Sequence, residues 1–369
     1  MAHRNIRVLV VDDSALMRQM LRSVLDGDPG IEVIGTAPDP LSARQMIKDL
    51  DPDVVTLDVE MPKMDGIAFL EKIMTLRPMP VIMVSSLTSR GAETTLRALE
   101  IGAVDFVTKP GGTAGECLPR LQADLIPKVK AAAQARVAPA GQNRTHSTRK
   151  AMTSRRSAAE LIAIGASTGG VAALQKVFET LPSNCPGIAV VQHMPAAFTR
   201  SFAARLDKTS ALTVTEARHG EPILSGHAYV APGGHHLKVI RSQKGLTCQV
   251  YDGDLVSGHQ PSVDVLFQSV AEHAGPRSVG VILTGMGRDG AKGLLAMRKT
   301  GAVTLGQDQS GCVVYGMPRA AMEIGAVAAE LSLEDIGKEV RSAIGGASCS
   351  VRGCCAAPVR GCESRMRGA

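Results

Sequence analysis

Tryptophan is absent from this 369-residue chain, and its only aromatic side chains are three Tyr and six Phe. So few flat side chains leave little with which to stack nucleobases, which argues against a protein that binds single-stranded nucleic acid. No apolar run is long enough to span a bilayer. The first apolar stretch, Ile6 to Val11, meets Asp12 and Asp13 too soon to serve as a signal peptide. The expectation is a cytoplasmic protein, not membrane-embedded, whose eight cysteines are reduced thiols. Four of them (Cys349, Cys354, Cys355 and Cys362) crowd the C-terminal end without a CxxC pair, so the usual spacing of zinc ligands is lacking there.

Acidic residues are missing from one long segment. Between Asp124 and Glu160 there are eight Lys or Arg and no Asp or Glu, and the last 23 residues carry four Arg against Glu363. These two stretches hold more than the whole net charge of +6, so the remainder is net acidic. The positive charge therefore sits in segments expected to be unfolded, and it is poor support for nucleic-acid binding.

What is present is alternation. From Ile6 to about Ala133 short β-branched runs (IRVLVV, IEVIGT, DVVTLD, VIMVS, VDFVT) alternate with amphipathic stretches such as SALMRQMLRSVLDG. Five strands alternating with five helices predict a flavodoxin-like, doubly wound parallel sheet. A second α/β pattern starts at Leu161: LIAIG, GGVAALQKVFETL, GIAVVQ, a helix near AAFTRSFAARL, short strands around HAYVAP, LKVI and LTCQVY, then helix, strand, helix and strand again. The expected division is a receiver-type domain over 5–125, a basic flexible linker over 126–158, a larger doubly wound α/β hydrolase-type domain over 159–345, and a disordered Cys- and Arg-rich tail over 346–369.

Residues at the carboxyl ends of parallel strands converge on one crevice. Asp12 and Asp13 end the first strand, Asp58 ends the third, Ser85 the fourth, and Lys109 follows the fifth. Three converging carboxylates suit a hard cation such as Mg²⁺, and a hydroxyl and an ammonium beside them suit a phosphoryl group. Any one of these acids could be a helix cap, but five such residues gathered at four strand ends form a site. VLVVDDS, TLDVEMPKMDG, VIMVSS and DFVTKP resemble the motifs of response-regulator receiver domains. The resemblance implies phosphorylation on Asp58 and Mg²⁺ held by Asp12, Asp13 and Asp58 with the Glu60 carbonyl. It also implies that Lys109 binds the phosphoryl group and that Ser85 and Phe106 switch between conformations.

In the second pattern LIAIG runs into Ala166-Ser167-Thr168-Gly169-Gly170 and a helix. A Ser between a strand and a helix N-terminus is exposed beside backbone N–H groups that can stabilise an anion, although such a loop can equally cradle a phosphate or a dinucleotide. His193 follows the next strand and Asp289 follows a later one, so three strand ends can supply a nucleophile, a base and a group that orients the base. AIGASTGG, VVQHMP, YVAPGGHHL, PSVDVLF, LTGMGRDGA and the segment around VVYGMPRAA resemble the catalytic domain of chemotaxis protein-glutamate methylesterases, the CheB family. That resemblance implies catalytic Ser167, His193 and Asp289, an oxyanion donor in the Met286 backbone, support from Thr168, and no cofactor for hydrolysis. It further implies methylated chemoreceptors as substrate, a chemotaxis-type histidine kinase as phosphodonor, and deamidation of selected glutamines. A phosphorylation-controlled binding module is the competing class; the intact Ser, His and Asp oppose it. A DNA-binding regulator needs a short basic helix-turn-helix output, which is not seen.

Overall fold

The computed structural model describes residues 4–61, 65–86, 88–110, 114–135 and 159–344. The first unit runs β1 (Ile6–Val11), α1 (Ala15–Asp26), β2 (Ile31–Ala37), α2 (Pro40–Leu50), β3 (Val54–Asp58), α3 (Gly66–Leu76), β4 (Val81–Ser85), α4 (Ser89–Ile101), β5 (Asp105–Thr108) and α5 (Ala114–Ala132). Its five strands are parallel in the order β2-β1-β3-β4-β5. The central strands are buried along their length because helices cover both faces of the sheet. Turn chemistry agrees with the pattern. Ser14, Asp39, Asp65 and Thr88 each cap the helix that follows by accepting a backbone N–H, and Pro40 sits in the first turn of α2.

The expected boundary at residue 125 is corrected: α5 continues to Ala132. Leu121, Leu125, Val129 and Ala132 form one buried stripe along it, so cutting at 125 would split a helix in the middle of its packed face. Most of the anticipated linker (136–158) and the whole tail lie outside the described residues.

The second unit runs β6 (Leu161–Ala166), α6 (Gly170–Phe178), β7 (Gly187–Gln192), α7 (Ala196–Thr209), β8 (Thr213–Glu216), β9 (His227–Val230), β10 (His236–Ser242), β11 (Gly245–Tyr251), α8 (Val263–His273), β12 (Ser278–Ile282), α9 (Ala291–Lys299), β13 (Val303–Gln307), α10 (Met317–Glu323), β14 (Ala329–Leu331) and α11 (Leu333–Ile344). Seven strands form a parallel sheet in the order β14-β13-β12-β6-β7-β9-β8, while β10 and β11 pair as a separate antiparallel hairpin. From β6 the chain winds outward on one side through β7 and on the other through β12. The winding therefore reverses between β6 and β12, and the crevice outside their carboxyl ends is where such a sheet carries its site.

The two units pack through α4, β5 and α5 of the first against the second. α4 lies against α7, where Arg205 grips both carboxylate oxygens of Glu100. Phe106 of β5 meets Phe198 of α7 with ring centroids 4.4 Å apart. Leu96, Leu99 and Phe106 join Phe198 and Phe202 in one continuous apolar cluster.

Candidate active site

Ser167 follows β6, and its own N–H donates to the Thr284 carbonyl beyond β12. Gly169 adopts a left-handed φ of 76° at the N-cap of α6, a conformation glycine takes without cost. Gly285 presses so close behind Ser167 that a Cβ there would stand 2.8 Å from Cβ of Ser167 and 2.4 Å from Sδ of Met317. The Gly285 carbonyl also takes the N–H groups of Gly316 and Met317, which fixes the Met286 main chain beside Ser167. Gln192 donates its side-chain N–H to the carbonyls of Ser167 and His193 and so ties the ends of β6 and β7 together.

His193, after β7, and Asp289, past β12, meet as expected: Nε2 lies 2.8 Å from Oδ2 of Asp289, with both side chains buried. Asp289 is held on three further sides, by the Ser262 hydroxyl (2.8 Å) and by the N–H groups of Val263 (2.7 Å) and Asp264 (3.0 Å) at the start of α8. Burial alone would raise its pKa. The bond to His193 and those backbone donors outweigh it, and the carboxyl stays below the ordinary carboxylate range. With Nε2 donating to Asp289, the other ring nitrogen is the acceptor. That atom, Nδ1, is buried and has no hydrogen-bond partner among the described residues.

Three participants were not anticipated. His259 stacks on His193 with ring centroids 3.7 Å apart and planes 12° from parallel. Burial first, and then the neighbouring His193, push its pKa down to about 4. The sequence offered only a His after Ser-Gly. The other two, Asp105 and Lys128, come from the first unit. The Thr168 hydroxyl, expected to support catalysis, donates to Oδ2 of Asp105, while Lys128 donates to the Phe106 carbonyl at 2.6 Å and pairs with Asp124 at 2.7 Å. A cleft of about 830 Å³ opens between Ile126 and Lys130 of α5 on one side and Met286 and Val313 on the other.

In the first unit Asp12, Asp13 and Asp58 bring one carboxylate oxygen each within 4.8 Å of one another. Lys109 lies 2.7 Å from Asp58 Oδ2 and 3.2 Å from Asp12 Oδ2, and the Glu60 N–H donates to Asp58 Oδ1. Burial raises the pKa of Asp58 to about 6, with Asp12 adding to the rise and Lys109 opposing it. Lys109 itself is pushed up, because Asp58 and Asp12 outweigh the effect of burial. Two buried acids that share one ammonium are short of positive charge, which fits a divalent cation. Ser85 points elsewhere: its hydroxyl lies 2.6 Å from the Thr95 hydroxyl and within reach of the Gly91 carbonyl, both in α4.

Two family models match the chain: a response regulator receiver domain over residues 8–115 and a CheB methylesterase over residues 162–340. A protein-glutamate methylesterase/protein-glutamine glutaminase 1 from Caulobacter vibrioides is 58% identical over 91% of this chain and 97% of its own length. The chain belongs to the CheB methylesterase family. A second family member, from Salmonella typhimurium, is 52% identical over 92% of this chain and 97% of its own. Among solved structures, the CheB methylesterase catalytic domain of Thermotoga maritima is 37% identical and covers 50% of this chain and 99% of its own, with a TM-score of 0.49. In CheB terms the first unit is the receiver and the second the catalytic domain. Among the described residues no helix is long and apolar enough to cross a membrane.

Proposed function

We propose that this CheB-family chain hydrolyses methyl esters of glutamate side chains on chemoreceptors and deamidates selected glutamines, with Ser167, His193 and Asp289 as its catalytic residues. The observation that carries this reading is the polarised imidazole, bound to Asp289 through Nε2 and unpartnered at Nδ1, on a residue whose N–H donates to the Ala166 carbonyl next to Ser167. Ser167 Oγ attacks the ester carbonyl carbon while its proton passes to Nδ1. Asp289 holds the resulting imidazolium without taking its proton. The oxyanion is received by the Met286 main-chain N–H, and losing such a donor costs about 3–4 kcal/mol of barrier lowering. The C–O bond breaks as the leaving oxygen takes the proton back from His193 and departs as methanol. Water, deprotonated by His193, then cleaves the acyl-enzyme to leave the glutamate carboxylate. A glutamine reaches the same intermediate and loses ammonia.

Control belongs to the receiver. Asp58 accepts a phosphoryl group from a chemotaxis-type histidine kinase, with Asp12, Asp13 and the Glu60 carbonyl as Mg²⁺ ligands. Bound Mg²⁺ supplies positive charge against the phosphoryl oxygens, and Lys109 supplies more. The new oxygens compete for the Ser85 hydroxyl, now engaged with α4. Drawing it away disturbs α4 and β5, which carry Glu100, Asp105 and Phe106 onto the catalytic domain. In the docked arrangement Asp105 occupies Thr168, next to the nucleophile; release returns Thr168 to the site. Substrates from a methylated receptor array of another behaviour would use the same residues.

Methanol release from methylated receptor cytoplasmic fragments is the direct test, with wild type and Ser167→Ala compared with and without a phosphodonor. Release that requires Ser167 and rises on phosphorylation is the expected result. No release from wild type carrying phosphorylated Asp58 would leave a binding module instead.

A further inference from the structure

His259 lies outside the Ser–His–Asp set, yet its segment is built around that set. Val256 and His259 exchange both backbone hydrogen bonds (3.1 and 3.0 Å), and the two residues between them, Ser257 and Gly258, have φ of 54° and 81°. That is a two-residue turn of the tight, doubly left-handed kind, which fixes where its last residue points. Three residues later the same segment becomes the cap of α8, whose Ser262 hydroxyl and Val263 and Asp264 N–H groups clamp Asp289. One short stretch of chain therefore supports His193 twice, through Asp289 at the ring edge and through His259 across the ring face.

We infer that His259 is a positioning residue for catalysis: its imidazole stacks on His193 and holds that ring in place as it gains and loses the proton. Three groups act on its charge. These are the His193 ring on its face, Asp289 beyond that ring, and Lys128 from α5 of the docked receiver; burial, His193 and Lys128 oppose protonation, and Asp289 alone favours it. The balance matters because a second imidazolium stacked 3.7 Å from the first would resist the proton transfer from Ser167, whereas a neutral π-face accommodates the transient cation. Neither nitrogen of His259 needs to exchange a proton with substrate for this role. A flat neutral ring of another kind should therefore replace it.

The inference rests on the esterase reading above, and the experiment separates the two. Methanol release by the full-length, phosphorylated protein is followed for wild type, His259→Ala and His259→Phe, with kcat and KM resolved and circular dichroism recorded for each. Absence of activity in wild type would count against the esterase reading. With wild type active, His259→Ala should lower kcat about three- to tenfold with KM nearly unchanged, the size expected for one aromatic stack. His259→Phe should recover most of the loss. An unchanged kcat in His259→Ala would overturn the proposal, because nothing then depends on the stack. Equal loss in the Ala and Phe variants would also overturn it, since the imidazole nitrogens would then be what matters. Should His259→Ala fail to fold, the Phe variant decides alone: near-wild-type kcat supports the stack, and a tenfold fall rejects it.

Discussion

His193 offers its two nitrogens to different tasks, and the assignment can be measured. Asp289 accepts from Nε2, so the resting ring carries its proton there and keeps a lone pair on Nδ1. Nitrogen-15 spectra of histidine-labelled protein should show that single tautomer. Asp289→Asn presents an amide that can donate to Nε2, which drives the ring proton to Nδ1 and points it at the nucleophile. By analogy with the same change in other triads, kcat for methanol release should fall about 10³- to 10⁴-fold. At Asp58 the pKa of about 6 lies above the ordinary value near 3.8, so the protonated acid is favoured by the folded state. Stability from that site is complete below about pH 4 and is lost as pH rises through 6. Asp58→Asn removes the buried charge, and at pH 7.5 without Mg²⁺ it should stabilise the receiver by about 1–3 kcal/mol, read as a higher melting temperature. At pH 5 about half of that gain should vanish, and Mg²⁺ should raise the melting temperature of wild type more at pH 7.5 than at pH 5.

Elements rather than residues decide how the site is reached. Ser167, His193 and Asp289 could be found in the sequence because a parallel sheet gathers its strand ends, and each of the three follows an apolar run of strand length. The acidic cluster of the receiver was legible for the same reason. Strand β8 was not: TVTE is a four-residue edge strand whose exposed and buried positions alternate, so it has no apolar run to betray it. The short α10 and β14 and the terminal α11 were passed over as well. His259 was not anticipated, because stacking across 66 positions of sequence leaves no local periodic trace. Thr168 was placed in the site, but its partner Asp105 lies in the other domain, and no strand-end argument joins two sheets. Gly285 carries no periodic signal in the sequence, yet it is needed for room. Gly285→Ala should abolish methanol release while leaving Asp58 phosphorylation intact, since its methyl group would meet Ser167 Cβ at 2.8 Å.

At the scale of the whole molecule, the function proposed above makes the contact between domains the control on resting activity. The Arg205–Glu100 pair crosses it and is partly buried, with side chains 33% and 20% exposed. Reversing one charge leaves two carboxylates facing each other, a penalty of about 1–2 kcal/mol at such a depth. Arg205→Glu should therefore raise the methanol release of unphosphorylated protein about five- to thirtyfold, and Glu100→Arg in the same chain should bring it back down. High salt should mimic the single variant weakly, because part of the pair is screened.

On the proposed function, the grip of Asp105 on Thr168 makes the receiver and the methylated receptor rivals for one piece of ground. Rivalry of that kind runs in both directions. If a phosphoryl group on Asp58 favours substrate at Ser167, then substrate at Ser167 favours the phosphoryl group on Asp58 by the same factor. A receptor rich in methyl esters is thus more than the thing acted upon. By holding the catalytic crevice it keeps the receiver displaced and poised for its donor, and as its esters are consumed that support drains away. On the same reading the enzyme's own product formation would let the receiver settle back, a brake that the substrate releases and its depletion reapplies.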